Sequence, residues 1–234
     1  MAYTYIDLFC GAGGLSLGFD EAGFENILAV ELQPAFAKTY QRNFPDHPLL
    51  VEDIRQISDE RLLELTSGKT VDVIVGGPPC QGFSIAGNIG RTFLDDERNR
   101  LFKEFVRFVA YLKPKMFVME NVAAMATHLK GKTIAAVEDA FETAGLGYRV
   151  QWQVLNSVHF GVPQERRRLV MVGIRKDFET AFAYPKEQER VYTVKDAIGD
   201  LPPLKSGEES AIPNHKAMKH SPQMLKKMSY VKDG

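Results

Sequence analysis

A short turn around Cys80 contains the residues of this chain that are best suited to covalent chemistry. It follows an apolar, β-branched run at 71–75, which predicts a buried strand. Pro78 and Pro79 end that strand, because neither donates a backbone N–H and each fixes its own φ. A cysteine is most often a buried structural thiol. A stiff turn at the carboxyl end of a strand, where open α/β sheets bind ligands, instead predicts that Cys80 is a nucleophile.

Glu120 is a second candidate for chemistry. It ends the apolar run 117–119, which is the next predicted strand after that of Cys80. Both side chains can therefore reach one cleft at the carboxyl edge of the sheet. A carboxyl group there can stabilise charge that develops on a substrate, or exchange a proton with it. The alternative interpretation is an acid at the start of a helix, next to Asn121.

Two arginines lie further along the chain. Arg166 and Arg168 alternate around Arg167, so on an extended segment the two share one face. Such a pair can hold an anion or stabilise a thiolate. The alternative is a solvated basic edge.

A glycine-rich turn near the N-terminus predicts a nucleotide cofactor. Gly11-Ala12-Gly13-Gly14 joins a predicted strand to a predicted helix, where the backbone can approach a ligand closely. Glu31 ends the second predicted strand and can accept from ribose hydroxyls, and Asp53 ends the third and can accept from an adenine amino group. NAD enzymes share the loop and the first acid, so these residues alone leave the cofactor open.

Four motifs, in this order along the chain, resemble those of the cytosine-C5 DNA methyltransferases. They are Asp7-Leu8-Phe9-Cys10-Gly11-Ala12-Gly13-Gly14, Pro78-Pro79-Cys80-Gln81-Gly82-Phe83-Ser84, Met119-Glu120-Asn121-Val122 and Gln164-Glu165-Arg166-Arg167-Arg168. The resemblance implies a Rossmann-like methyltransferase fold and methyl transfer from S-adenosylmethionine to C5 of a flipped-out cytosine in double-stranded DNA. A bacterial restriction-modification setting is expected.

The resemblance also implies a role for each matching residue. The expected S-adenosylmethionine site consists of Phe9, Gly11, Gly13, Gly14, Glu31, Leu32, Asp53, Ile54, Pro79 and Leu101. Leu32 and Ile54 would flank the adenine, and Pro79 and Leu101 the methionine. These four are apolar, and core packing is their alternative role.

In the same way, the family assigns catalytic roles to four residues. Cys80 would add to C6 of cytosine, Glu120 would contact N3, and Arg168 would contact O2. Arg166 would hold the loop or a phosphate. Further residues expected near the substrate are Gln81, Ser84 and Asn121. Asn121 and Val122 are also expected to hold their turn in shape, and Gln164 is expected to be structural.

The elements that position these residues alternate between strands and helices. This pattern predicts an α/β fold with a doubly wound, mainly parallel sheet. The widest apolar helical face lies at 100–112, and a short helix is expected at 196–201. A long segment, 81–99, contains several glycines and is expected to close over DNA, with a disordered insertion as the alternative.

We predict a catalytic domain at 1–185, followed at 186–234 by a linker and the start of a target-recognition region. The family continues further, so the chain is expected to be a fragment or to act with a second chain. Two cysteines and no long apolar run in 234 residues predict a cytoplasmic protein without a membrane span, and the resemblance implies association with the nucleoid. No metal site is expected, and the net charge of -1 does not by itself indicate DNA binding.

Three other functions remain open at this stage. An RNA cytosine-C5 methyltransferase would use the same chemistry on transfer RNA. A methyltransferase-like partner subunit without activity would have no need for Cys80, Glu120 and Arg168 together. An NAD-dependent oxidoreductase would account for the glycine loop, but not for the Pro-Pro-Cys turn.

Overall fold

A computed structural model describes residues 2–79 and 100–231. It divides into two compact units. The first consists of residues 1–157 and 166–187, and the second of residues 158–165 and 188–234. No described helix is long and apolar enough to cross a membrane. The predicted division into a catalytic domain at 1–185 and a linker with the start of a target-recognition region at 186–234 stays a prediction.

The first unit is built on a sheet whose described strands number seven. They are β1 (Thr4–Leu8), β2 (Glu25–Glu31), β3 (Leu49–Val51), β4 (Val73–Gly76), β5 (Met116–Val122), β6 (Tyr148–Asn156) and β7 (Arg167–Arg175). Their spatial order is β3-β2-β1-β4-β5-β7-β6, and β7 is antiparallel to both of its neighbours, whereas the remaining pairs are parallel. The predicted α/β fold with a mainly parallel sheet is confirmed. The strand order reverses between β1 and β4, so a crevice opens at their carboxyl ends.

The helices of the first unit begin where local sequence favours them. They are α1 (Gly14–Glu21), α2 (Pro34–Asn43), α3 (Asp59–Leu65), α4 (Arg100–Leu112) and α5 (Lys132–Glu142). Pro34 is the first residue of α2, where its missing N–H costs nothing. Ser58 caps α3 by accepting from the backbone N–H of Arg61.

An aromatic cluster joins α4 and α5 to the sheet. Phe102, Phe105, Phe117, Phe141 and Tyr148 are all fully buried. The rings of Phe117 and Phe141 stack with centroids 4.0 Å apart, and Phe102 and Phe105 meet Phe141 edge to face. This packing accounts for the wide apolar face of α4 and fixes the start of that helix, with Leu101, beside the crevice.

The second unit contains α6 (Val194–Ile198) and α7 (Pro222–Met228). The short helix expected at 196–201 begins two residues earlier, because Thr193 and Asp196 form a capping box that sets its N-terminus. Ser221 caps α7, which the sequence analysis did not predict. No described residue of this unit is buried.

Candidate active site

The loop after β1 turns in a way that requires glycine at one position. Phe9, Gly11 and Gly13 all have positive φ, at 62°, 57° and 93°. A Cβ on Gly13 would lie 2.1 Å from Cε2 of Phe44, the residue after α2, so the loop leaves no room for a side chain beside that ring. The turn leads directly into the N-terminus of α1, which has Gly13 as its N-cap and no side-chain cap.

Glu31 ties this loop to the loop after β2. Its Oε2 accepts from the backbone N–H of Gly11 at 3.0 Å, and its Oε1 accepts from the N–H of Gln33 at 2.7 Å. The residue is 8% exposed. Each carboxylate oxygen can accept a further hydrogen bond, so the acid can hold the backbone and still receive a hydroxyl from a ligand.

Asp53 follows β3 and is paired with Arg55. Nε of Arg55 lies 2.9 Å from Oδ1, and the backbone N–H of Arg55 donates to the same oxygen at 3.0 Å. The hydrogen bonds from the Arg55 side chain hold the pKa of Asp53 below its usual range. Asp53 is therefore a charged acceptor at the rim of the crevice.

A cavity of about 350 Å³ opens at these carboxyl ends. Its lining includes the following predicted cofactor residues: Phe9, Gly11, Glu31, Leu32, Asp53, Ile54, Pro79 and Leu101. Gly13 and Gly14 do not line it, and Gly13 instead makes the close approach to Phe44 described above.

Sequence reasoning missed several residues that also line this cavity. They are Val30, Gln33, Phe36, Glu52 and Gly77. Phe36 is the largest of these and is 56% exposed on α2. An aromatic residue in the first turn of a helix, five positions after Glu31, is the signal that could have identified it.

A carboxylate and two guanidinium groups meet beside this cavity. Nε of Arg168 lies 2.8 Å from Oε1 of Glu120, and Nη2 of Arg166 lies 3.9 Å from the same oxygen. A Cβ on Gly77 would lie 3.3 Å from Oε2 of Glu120. Gly77 also lines the cavity, so the carboxylate lies against a residue of the cavity wall.

Asn121 supports the turn that leads to Cys80. It is 4% exposed, its Nδ2 donates to the carbonyl of Pro78 at 3.0 Å, and its Oδ1 accepts from the N–H of Val122 at 2.9 Å. This is the turn-holding role expected for Asn121. Its place among the substrate-binding residues stays a prediction.

Several predicted site residues lie outside the part of the chain that the structure describes. They are Cys80, Gln81 and Ser84, and the expected closing segment 81–99 lies there too. Gln164 belongs to the second unit, where its backbone N–H donates to the carbonyl of Val162 at 2.8 Å. Its structural role stays a prediction.

The described geometry joins two chemical functions. The cavity combines apolar walls with carboxylates at hydrogen-bonding positions, which is what a nucleoside-bearing ligand needs. Next to it, Glu120 is held by Arg168 in a position to exchange a proton or accept a hydrogen bond. The turn ending at Pro79 runs between these two parts.

Comparison with known proteins gives the same family that the motifs indicate. A family model described as C-5 cytosine-specific DNA methylase matches residues 3–233. The chain is 56% identical to type II methyltransferase M1.HphI of Haemophilus parahaemolyticus, covering all of this chain and 62% of that protein. It is 42% identical to type II methyltransferase M.XorII of Xanthomonas oryzae, over 87% of this chain and 47% of that protein. The chain thus spans about half to two thirds of the length of these relatives.

A solved structure from Escherichia coli also superimposes on the chain. It is described as a DNA modification methyltransferase encoded within a prophage, and it matches with a TM-score of 0.74 and 30% identity. The match covers 89% of this chain and 59% of that one. The sheet order, the motifs and these matches together show that the chain belongs to the C-5 cytosine-specific DNA methylase family.

Proposed function

We propose that this protein transfers a methyl group from S-adenosylmethionine to C5 of a cytosine in double-stranded DNA. The observation that carries the proposal is the position of Glu120. Held by Arg168, it borders the nucleoside-sized cavity across Gly77, at the turn that leads to Cys80. The cavity that we assign to the cofactor and the carboxylate that we assign to proton exchange would then be adjacent, as methyl transfer to a base requires.

The residues around the cavity fit S-adenosylmethionine. The cavity has a volume of about 350 Å³, which is in the range of small-molecule sites. Glu31 offers acceptors for ribose hydroxyls, and Asp53 offers one for the adenine amino group. Phe36, Leu32 and Ile54 provide apolar surface for the adenine ring, while Pro79 and Leu101 face the other end. When bound there, S-adenosylmethionine would supply an electrophilic methyl group.

The chain's own residues would activate the base. Adding the thiolate of Cys80 to C6 breaks the aromaticity of cytosine and makes C5 nucleophilic. The charge that then develops on N3 and O2 would be stabilised by Glu120 and Arg168. Arg166, on the same side of Glu120, would stabilise the thiolate or hold a phosphate. After methyl transfer, removal of the C5 proton and departure of the thiolate restore the aromatic ring.

DNA as the substrate rests on the family and on the names of its relatives. The target base must leave the duplex to reach Cys80 and Glu120. Segment 81–99 with Ser84 and Gln81 would contact the flipped nucleotide. By analogy with the two type II relatives, we assign the protein to restriction-modification in the bacterial cytoplasm, near the nucleoid. Target recognition would come from the second unit together with a further segment or a second chain.

Covalent trapping tests the proposal. DNA and an RNA of matching sequence, both containing 5-fluorocytosine, are each incubated with the protein and S-adenosylmethionine. Fluorine cannot leave C5 as a proton does, so the covalent complex accumulates. We expect a denaturant-stable complex with the DNA and none with the RNA. A complex with RNA alone would overturn the choice of substrate, and failure with both would overturn the proposed activity for this chain.

The chain offers a matched control, because it contains two cysteines. Cys80→Ser should abolish trapping. Cys10→Ala should preserve it, since Cys10 is a buried residue of the loop after β1 and burial raises the pKa of its thiol. Trapping that depends on Cys10 would contradict the assignment of the nucleophile.

A further inference from the structure

A continuous chain of hydrogen bonds runs beneath the cofactor loop. Oγ of Ser16 lies 2.7 Å from Oδ2 of Asp7 and 2.8 Å from the hydroxyl of Tyr40. That hydroxyl lies 3.0 Å from Nδ1 of His47. The other ring nitrogen, Nε2, lies 3.1 Å from Oδ2 of Asp20. We call these five residues the polar relay.

The two ends of the polar relay lie in different surroundings. Asp7 is fully buried, two residues before Phe9 of the cofactor cavity, and its Oδ1 has no hydrogen-bond partner among the described residues. Asp20 and His47 instead line a second cavity of about 580 Å³. The relay therefore connects the floor of the cofactor loop to a separate, solvent-accessible site.

The possible donors and acceptors allow two complete patterns of hydrogen bonds. In the first, ionised Asp7 accepts from Ser16, Ser16 accepts from Tyr40, and Tyr40 accepts from His47. Nε2–H of His47 also donates to Asp20, so this pattern requires the imidazolium form. In the second pattern, donor and acceptor exchange roles in each of the three hydrogen bonds between Asp7 and His47. Asp7 is then protonated and donates to Ser16, and Nδ1 of a neutral His47 accepts from Tyr40.

These two patterns contain the same number of protons. Passing from the first to the second moves one proton from Nδ1 of His47 to Tyr40, one from Tyr40 to Ser16 and one from Ser16 to Asp7. No proton is exchanged with solvent, and no hydrogen bond is lost. The two patterns thus share one proton, which is on His47 in the first and on Asp7 in the second. Removing this shared proton would leave two acceptors facing each other, which costs a hydrogen bond in a buried site.

The groups around Asp7 favour keeping the shared proton. Burial is the largest effect that disfavours an ionised Asp7, and the negative charges of Glu31 and Asp20 act in the same direction. Together they raise the pKa of Asp7 to about 7, against the opposing hydrogen bonds from Ser16. Other polar or titratable groups that face the relay are Tyr5, which donates to Asp20, Cys10, and Glu25, Asp46 and Lys69 in the second cavity.

We propose that Tyr40 and His47 are positioning residues that match the charge beneath the cofactor loop to the charge of the cofactor. The inference rests on the proposed function. S-adenosylmethionine carries a sulfonium cation, which favours ionised Asp7 and cationic His47. The product S-adenosylhomocysteine lacks that cation, which favours protonated Asp7 and neutral His47. The relay thus contributes to the preference for cofactor over product.

Nitrogen-15 NMR of the histidine rings, combined with calorimetric titration, tests this inference on the full chain. His47→Gln identifies the His47 signals among the five histidines. With S-adenosylmethionine bound, both ring nitrogens should carry protons. With S-adenosylhomocysteine, Nδ1 should move towards the signal of an unprotonated nitrogen. In Tyr40→Phe the two ligands should give the same His47 signal, and the affinity ratio of cofactor to product should fall about fivefold, at the low end of coupling between linked sites.

Tyr148→Phe is the matched control, because Tyr148 is equally buried and its hydroxyl donates to the carbonyl of Pro114 outside the relay. It should leave the ligand-dependent His47 signal and the affinity ratio unchanged. His47→Gln gives a second test, since glutamine cannot become cationic and should reduce the affinity ratio as Tyr40→Phe does. An identical His47 signal with both ligands in the unmodified protein would overturn the inference. Failure of that protein to bind either ligand would overturn the proposed function, and this inference with it.

Discussion

Glu120→Gln separates the chemical role of this carboxylate from its structural role. The substitution keeps the size of the side chain and removes the charge that faces Nε of Arg168 at 2.8 Å. The two side chains are 29% and 28% exposed, so the pair is partly solvated. Its loss should lower the free energy of unfolding by about 1 kcal/mol or less.

The rate of methyl transfer should fall much further. A positioned acid or base contributes about 10²–10⁴-fold, which corresponds to roughly 3–5 kcal/mol of transition-state stabilisation. Single-turnover transfer of a radiolabelled methyl group to DNA, with enzyme in excess, measures this rate. Urea unfolding of the same preparation measures stability. A rate within tenfold of the unmodified protein would refute the assigned role.

Glu104→Gln is the control for this prediction. Glu104 forms a comparable pair on α4, with Nε of Arg107 at 2.7 Å from its Oε2 and side-chain exposures of 22% and 31%. Its replacement should change stability as Glu120→Gln does and leave the rate unchanged. If both variants slow transfer equally, the effect of Glu120→Gln is structural.

Two further predictions concern the cofactor loop. Gly13→Ala should destabilise the fold by at least about 2 kcal/mol in urea unfolding, because φ is 93° and the new Cβ would lie 2.1 Å from Phe44; a neutral result would contradict the close approach. Glu31→Gln leaves one of two backbone N–H groups without an acceptor and should weaken S-adenosylmethionine binding at least about tenfold by calorimetry; unchanged affinity would remove Glu31 from the site.

Local sequence signals predict most of the elements. The helix expected at 100–112 has those bounds in the structure, since its apolar residues repeat along one wide face. The position of β7 is different. Its pairing with β5 joins residues far apart in sequence, such as Phe117 and Gly173, and nothing local specifies it. The helix α7 was missed because it is short and fully exposed, with only Ser221 and Pro222 to signal its start.

For the candidate site, motifs indicate which residues to examine but not how they contact one another. Glycine spacing and strand-end acids predict a nucleotide site around Gly11, Glu31 and Asp53. The hydrogen bond from Asn121 to the carbonyl of Pro78 spans 43 residues and depends on the pairing of β4 with β5. The polar relay is likewise assembled from separate elements, and no periodicity or motif marks Tyr40 or His47 as partners of Asp7.

The antiparallel direction of β7 explains how the arginines reach Glu120. In a parallel sheet, polar residues meet at the carboxyl ends of strands. Arg166 and Arg168 instead lie at the beginning of β7, where a parallel strand would have placed them at the opposite edge. Because β7 runs the other way, Arg168 pairs in register with Val122 at the carboxyl end of β5. The reversed direction of β7 therefore places the guanidinium groups of Arg166 and Arg168 at the edge of the sheet where the cofactor loop and the turn before Cys80 also lie.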